Sequence, residues 1–275
     1  MKALFKSYND KRGKKMLTKE DIIKQLPADA LDTSMWWLRR KWTLKEIARY
    51  MSISSKNSKL GKTCNISTLP GNKNNLLILK NGTQLTDVPG TCSNCEACFK
   101  DCYAVHSAKR FYNNNIMAWG RNTIIKHLNP QLYFYLIDMY ISIKKCSVFR
   151  IHVSGEFEST REILEWAKIA RKHSETVFYG YTKMYFYLVC ANPKHNFPKN
   201  FIINLSEWNN KEEIEEIRKQ TGLGSFAYVT EENYHNYKKI PMCPAVNRDG
   251  SMNENKECIN CPLCKLPIVK GCWSH

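Results

Sequence analysis

Between Thr91 and Ala104 the chain reads TCSNCEACFKDCYA, and no other stretch constrains the fold so tightly. Cys92, Cys95, Cys98 and Cys102 follow one another as C-x2-C-x2-C-x3-C, just after a Pro-Gly turn. Thiols this dense point to a loop wrapped around a metal. The spacing is that of the bacterial-ferredoxin run for iron–sulfur ligation, with Tyr103 where that run has Pro. A second group lies near the C-terminus. Cys258, Cys261 and Cys264 run C-x2-C-x2-C, Cys243 precedes them next to Pro244, and Cys272 lies beyond. A trio needs a fourth ligand to close a structural site, which makes Cys243 its expected partner. Four thiolates suit zinc as well as iron–sulfur, and the spacing leaves both open.

Twelve Cys in one chain could instead mean disulfides. The N-terminus, MKALFKSYNDKRGKK, has no apolar segment of the secretory type, and no window is apolar for a membrane-spanning length. The expected setting is a reducing cytoplasm, where clustered Cys hold metal more often than they pair. The formal net charge of +17 invites nucleic acid as a partner through the basic surface, with Lys14, Lys15, Arg39, Arg40 and Lys41 on the N-terminal helices.

The hydrophobic pattern divides the chain into a basic helical region, 1–55, and an α/β domain, 56–275. The domain carries the Cys-rich loop 91–104 and a Cys-rich C-terminal unit, 241–275. Thr18 can cap a helix, and Thr43 with Glu46 forms a capping box for the next. Residues 28–41 carry the apolar patch Met35, Trp36, Trp37 and Leu38. Leu76–Leu79 followed by Asn81-Gly82 reads as a strand entering a turn. Helices follow over 111–145, the second starting at Asn129-Pro130. Then strands at 147–153, 176–181, 201–205 and 225–229 alternate with helices at 159–173, 183–191 and 211–221. Ser159 and Glu162 read as a second capping box, and Gly222 as a helix stop. Such alternation predicts a parallel sheet, open or curved into a partial (β/α) barrel.

In parallel sheets the site lies at the carboxyl ends of the strands. Polar residues gather there: Ser154-Gly155-Glu156, Tyr181-Thr182-Lys183, Asn204 with Ser206-Glu207, and Thr230-Glu231. Glu156 is the candidate for gripping a cationic amino group and Lys183 for an anionic one. Gly155 allows a ligand close to the backbone.

Five stretches resemble the phage gene product 88 family: GKTCNISTLPG at 61–71, the Cys loop at 91–104, FRIHVSGEF at 149–157, FYGYTK at 178–183, and MCPAV with the following C-x2-C-x2-C at 242–264. The resemblance covers about residues 58–265 and implies a phage origin, and with it a host cytoplasm. In the family pattern Cys92, Cys98 and Cys102 are the expected positions, and Cys95 is an addition. A second likeness, of architecture, is to radical S-adenosylmethionine enzymes. It implies a [4Fe–4S] cluster on three Cys, an open iron, and Ser154, Gly155, Glu156 and Tyr103 near the bound cofactor. Their C-x3-C-x2-C is absent here; the order is C-x5-C-x3-C with Cys95 set aside.

Two functions are therefore expected. The first is an iron–sulfur protein with redox or radical chemistry, with S-adenosylmethionine as the small-molecule cofactor. The alternative is a zinc-bound, nucleic-acid-binding phage regulator without enzymatic activity.

Overall fold

A computed structural model describes residues 16–55, 60–71, 85–93, 95, 98–99, 102–191, 196–208, 210–251, 253, 255–256 and 258–273. The expected strand and turn at 76–82, and Lys14 and Lys15, lie outside them. The chain divides into two units: Met1–Ser52, Ser67–Tyr140 and Ser154–Glu156 in the first, and Ile53–Ile66, Ile141–Val153 and Phe157–His275 in the second.

Among the described residues the first unit is helical. In α1 (Lys19–Ile23) the Thr18 hydroxyl accepts the Asp21 N–H, and the Asp21 carboxylate accepts the Thr18 N–H, each at 3.1 Å. In α2 (Leu44–Tyr50) Thr43 and Glu46 form the expected reciprocal box. The apolar patch between them folds only into a short 3-10 helix, Trp36–Arg39, entered through Met35 at φ 59°. Its aromatic residues close around a cation. The Arg40 guanidinium lies 4.8 Å from the Trp42 ring and 5.6 Å from Trp36, donates to the Tyr50 hydroxyl, and pairs with Glu46 and Asp29. Arg40, expected to face a polyanion, is thus committed inside its own unit, while Arg39 and Lys41 are exposed.

Three further helices follow: α3 (Tyr103–Arg110), α4 (Tyr112–Leu128) and α5 (Pro130–Lys144). Asn129 caps α5 by accepting the Leu132 N–H. Asn122 on α4 donates to the Ser52 and Ser67 carbonyls. It thereby holds the two ends where the chain leaves the unit for a short hairpin.

The second unit is built on a seven-stranded sheet in sequential order, β1 (Ile53–Ser54), β2 (Cys64–Ile66), β3 (Val148–Arg150), β4 (Val177–Thr182), β5 (Phe201–Glu207), β6 (Ser225–Val229) and β7 (Val269–Trp273). β1 is antiparallel to β2; every later pair is parallel. The sheet is open. α6 (Thr160–Lys172), α7 (Tyr185–Ala191) and α8 (Lys211–Thr221) connect its strands. One face is apolar: Phe149 and Phe178 are in register and meet across the sheet, with Trp166 of α6 against Phe149. The other face carries Arg150, Tyr179, Tyr181, Asn204, Phe226 and Lys270, placed there by strand register and mutual contacts.

The Ser159 capping box is only half formed. Ser159 accepts the Glu162 N–H, but the Glu162 carboxylate goes to the Glu158 N–H and to His152 Nε2 at 3.0 Å. A buried imidazole outcompetes the cap. Gly222 ends α8 at φ 67°, as its sequence position predicts.

Cys64 on β2 and Cys146 before β3 form a disulfide, with Cα atoms 6.2 Å apart. Eighty-two positions separate them, so nothing in the local sequence announced the pair. The bond lies outside both Cys clusters, and the expectation for clustered thiols does not extend to it. Among the described residues no helix is long and apolar enough to cross a membrane.

Candidate metal centres

The first centre grows out of three segments of the first unit. Residues 67–71, Thr91-Cys92 and Ser154-Gly155-Glu156 are laced together through main-chain bonds: Thr68 N–H to Ser154 O at 2.9 Å, Thr91 N–H to Leu69 O at 3.0 Å, and Cys92 N–H to Gly71 O at 2.8 Å. Thr68 and Thr91 are fully buried, with hydroxyls 3.0 Å apart. The Glu156 N–H donates to the Thr91 hydroxyl at 3.0 Å, and Glu156 itself is buried. Gly155 is at φ 85°, and a Cβ there would stand 1.9 Å from Thr68 Oγ1 and 2.6 Å from Thr91 Oγ1. Only glycine fits both the backbone angle and the space.

This lacing holds the main chain of Glu156 against Thr91, the residue before Cys92. Loss of solvent pushes the Cys92 thiol well above its usual range, and the nearby Glu156 charge pushes further, ahead of Cys102 and Cys95. Cys95 is buried, and the Cys98 thiol donates to its carbonyl at 3.6 Å. Cys102 forms the N-cap of α3 with no side-chain capping bond.

The second centre lies wholly in the second unit. Cys243, Cys258, Cys261 and Cys264 line one cavity of about 20 Å³, with Phe226 and Lys270 at its base. The structure therefore brings Cys243 to the trio across the intervening turns. The loop bearing Cys264 rests on the polar sheet face: Asn204 donates to the Cys264 carbonyl at 3.1 Å, and Tyr181 lies close to its sulfur. Burial raises the Cys264 thiol, opposed by Tyr181 and by the Arg150 and Lys270 charges. Lys270 donates to Asn204 at 2.6 Å and to the Leu266 carbonyl at 2.7 Å; burial lowers its ammonium to about 8.

Among the described residues no group of three or more His, Cys, Asp or Glu side chains is arranged as it stands to hold a metal ion. Thiols stay protonated until a metal displaces the proton.

The segments that build both centres match one family. The Gene product 88 family aligns with residues 42–269. The chain belongs to that family. No curated protein and no solved structure matches it. In this gene product 88 chain the match includes every Cys of both centres, together with Thr68, Thr91 and the Ser154–Glu156 turn. It leaves out α1 and, from the cage, Asp29, Trp36 and Arg40 itself.

The other expected site residues of this family member are placed as follows. Tyr103 begins α3 and is half exposed. Lys183 belongs to the second unit, just past β4, with its ammonium 5.5 Å from the Trp208 ring; Trp208 in turn stacks on Tyr228 at 4.4 Å. Cys272 lies on β7 in an apolar cluster with Ala227, Val229 and Trp273. Sequence reasoning passed over Thr68 and Thr91. The two threonines flank Pro-Gly turns, in STLPG and PGTC, and that shared context was the available signal.

Proposed function

We propose that this gene product 88 protein is an iron–sulfur protein with two thiolate-held centres and redox chemistry at the first. The observation that carries the reading is the single cavity ringed by Cys243, Cys258, Cys261 and Cys264. Four thiols around one cavity suit a thiolate-held centre, zinc or iron–sulfur; the ferredoxin-like spacing of the first loop favours iron–sulfur. Arg150 and Lys270 beside Cys264 supply the positive surroundings that thiolates need.

The second centre is then fully ligated, and it anchors the C-terminal segment or relays electrons. The first centre, with Cys92, Cys98 and Cys102 as its thiolates, keeps a position for a non-thiol partner. That position is where a substrate or S-adenosylmethionine would enter. The cluster supplies electrons; the protein supplies position and electrostatics. Glu156 sits beside this centre, which supports a role for it there. Lys183 on its aromatic pair is the candidate for an anionic group.

The test is strictly anaerobic purification followed by iron, sulfide and zinc analysis and an absorption spectrum. Iron and sulfide in equal amounts with broad absorption near ~400 nm are expected, since a d10 zinc thiolate is colourless and redox-silent. A colourless protein carrying only zinc would replace this reading with the nucleic-acid-binding regulator.

A further inference from the structure

In the second unit β3 is only three residues long, yet in the strand order β1 and β2 join the sheet through it. Its pairing with β2 spans two positions, Cys64 opposite Phe149 and Asn65 opposite Arg150. So short a ladder holds an edge hairpin weakly. Both ends of β3 are bent besides. Lys145 precedes it at φ 53° and His152 follows it at φ 49°, angles that favour glycine. Such bends persist in other residues where the surroundings over-determine them.

Each bend has its own restraint. At the carboxyl end it is the buried His152–Glu162 pair, at 3.0 Å. At the other end it is Cys146, next to Lys145. The disulfide to Cys64 fixes its side chain, and the Thr176 hydroxyl donates to its carbonyl at 2.6 Å. One covalent bond therefore holds both the near bend of β3 and the seat of β2.

Oxidation at this place is selective. Cys190 is exposed on α7 and remains a thiol, whereas Cys64 and Cys146 are joined while only 3% and 6% exposed. The fold, by setting their Cα atoms within disulfide reach, chooses the pair; ease of access does not. In a reducing compartment a disulfide among thiols is usually transient and redox-sensing.

We propose that the Cys64–Cys146 bond is a reversible redox lock on the β1–β2 edge of the sheet. Joined, it clamps β2 to β3; reduced, it lets β1 and β2 separate from β3. Neither cysteine belongs to a metal centre, so the proposal stands apart from the iron–sulfur reading. The step is thiol–disulfide exchange. A dithiol attacks one sulfur, the Cys64–Cys146 bond breaks through a mixed disulfide, and the reductant leaves as its own disulfide. Two electrons and two protons pass to the cysteines, which become thiols. In reverse, a small disulfide takes the two electrons and leaves as two thiols. Ser67 follows the last residue of β2 directly. The lock thus sets how firmly the segment carrying the first Cys loop is rooted at its start.

The experiment uses the full chain, held oxidised with glutathione disulfide or reduced with dithiothreitol, beside a variant with Cys64→Ala and Cys146→Ala together. Alkylation with mass mapping reads which cysteines are joined, and hydrogen exchange reads residues 60–66 and 147–151. Mapping should find Cys64 with Cys146 in the oxidised protein. Reduction should speed exchange in both segments about tenfold or more, leave β4 and β5 unchanged, and be undone by reoxidation. The double variant should exchange fast in both buffers. Three results would each overturn the proposal. They are mapping that finds the two cysteines unjoined, equal exchange in the two wild-type forms, and a variant that responds to dithiothreitol as wild type does, which would place the response at the other thiols. If the variant does not fold, the two wild-type forms decide.

Discussion

The two Cys centres solve one problem by different means. In the second unit, four thiols ring a cavity on a sheet face that supplies Arg150, Tyr181 and Lys270 around the sulfurs. In the first unit the Cys loop is tied to neighbouring segments of its own unit. Its frame is the threonine pair and the tight turn at Gly155, and the neighbour so delivered is a carboxylate. Positive charge lies around the sulfurs of one group and an acid beside the first thiol of the other. That difference in charge, more than the number of Cys in each run, sets the two groups apart.

The largest effect expected from this contrast is at the ring. Cys261→Ser should empty the second centre and leave the first loaded. Structural metal sites contribute about 10 kcal/mol or more in small domains, so residues 243–266 should become open to protease. Metal analysis with limited proteolysis and mass mapping checks this; unchanged iron content would erase the distinction between the centres.

Next comes the turn. Gly155→Ala forces a Cβ into two buried hydroxyls at positive φ and should cost about 3 kcal/mol or more, with loss of the first centre. Gly222→Ala is the control. It also has positive φ, at 67°, but nothing lies within 4 Å, so strain alone remains, about 1 kcal/mol. Urea midpoints for the two variants give the comparison, and equal shifts would show that the threonine clamp is not under steric control.

A smaller effect belongs to Lys270→Met. It leaves the Asn204 carbonyl oxygen without its ammonium donor and removes a positive charge near Cys264. A loss of about 1–3 kcal/mol and weaker second-centre retention against chelator are expected, with the first centre untouched.

How much of this could be read in the sequence depended on distance along the chain. The strands β3 to β6, the Thr43 box and the Gly222 stop are local patterns, and each appears near its expected place, whereas β1, β2 and β7 are too short or too irregular in pattern to stand out. So does Cys243 beside its trio, because a trio of thiols asks for a fourth. The 28–41 patch did not become a full helix: its tryptophans pack around Arg40, a tertiary arrangement that helical periodicity cannot anticipate. The Cys64–Cys146 bond and the half-used Ser159 box were hidden for the same reason, since a distant partner decides each. The Ser154–Glu156 turn stands out in the sequence by its strand-end position, whereas its partners Thr68 and Thr91 do not, since buried threonines have no motif until their partners are known.

The smallest expected effect is a pH slope carried by the second unit. Burial raises the Glu207 carboxyl above its ordinary value, although the Tyr237 hydroxyl and Lys211 act against the shift. A raised folded-state value means the folded protein holds this proton more tightly. The stability it contributes is complete below the unfolded value of about 4.3 and is lost as pH rises through the higher folded one. Melting temperatures of wild type and Glu207→Gln from mildly acid to neutral pH should diverge in that window. A variant with the wild-type slope would assign the pH dependence elsewhere.

The Cys64–Cys146 bond has a consequence for how such a chain can change over generations. It ties the first residue of β2 to the segment just before β3, the same end of two parallel strands, with Cα atoms 6.2 Å apart. Everything from Ser67 to Tyr140, including the first Cys loop, lies inside the covalent loop that the bond closes. With the starts of β2 and β3 held together, that segment can be lengthened, shortened or exchanged without shifting the register of β2 on β3. Recombination among relatives would therefore trade the Cys loop and its helices as a cassette, while Gly155 and Glu156, beyond β3, stay behind with the strands.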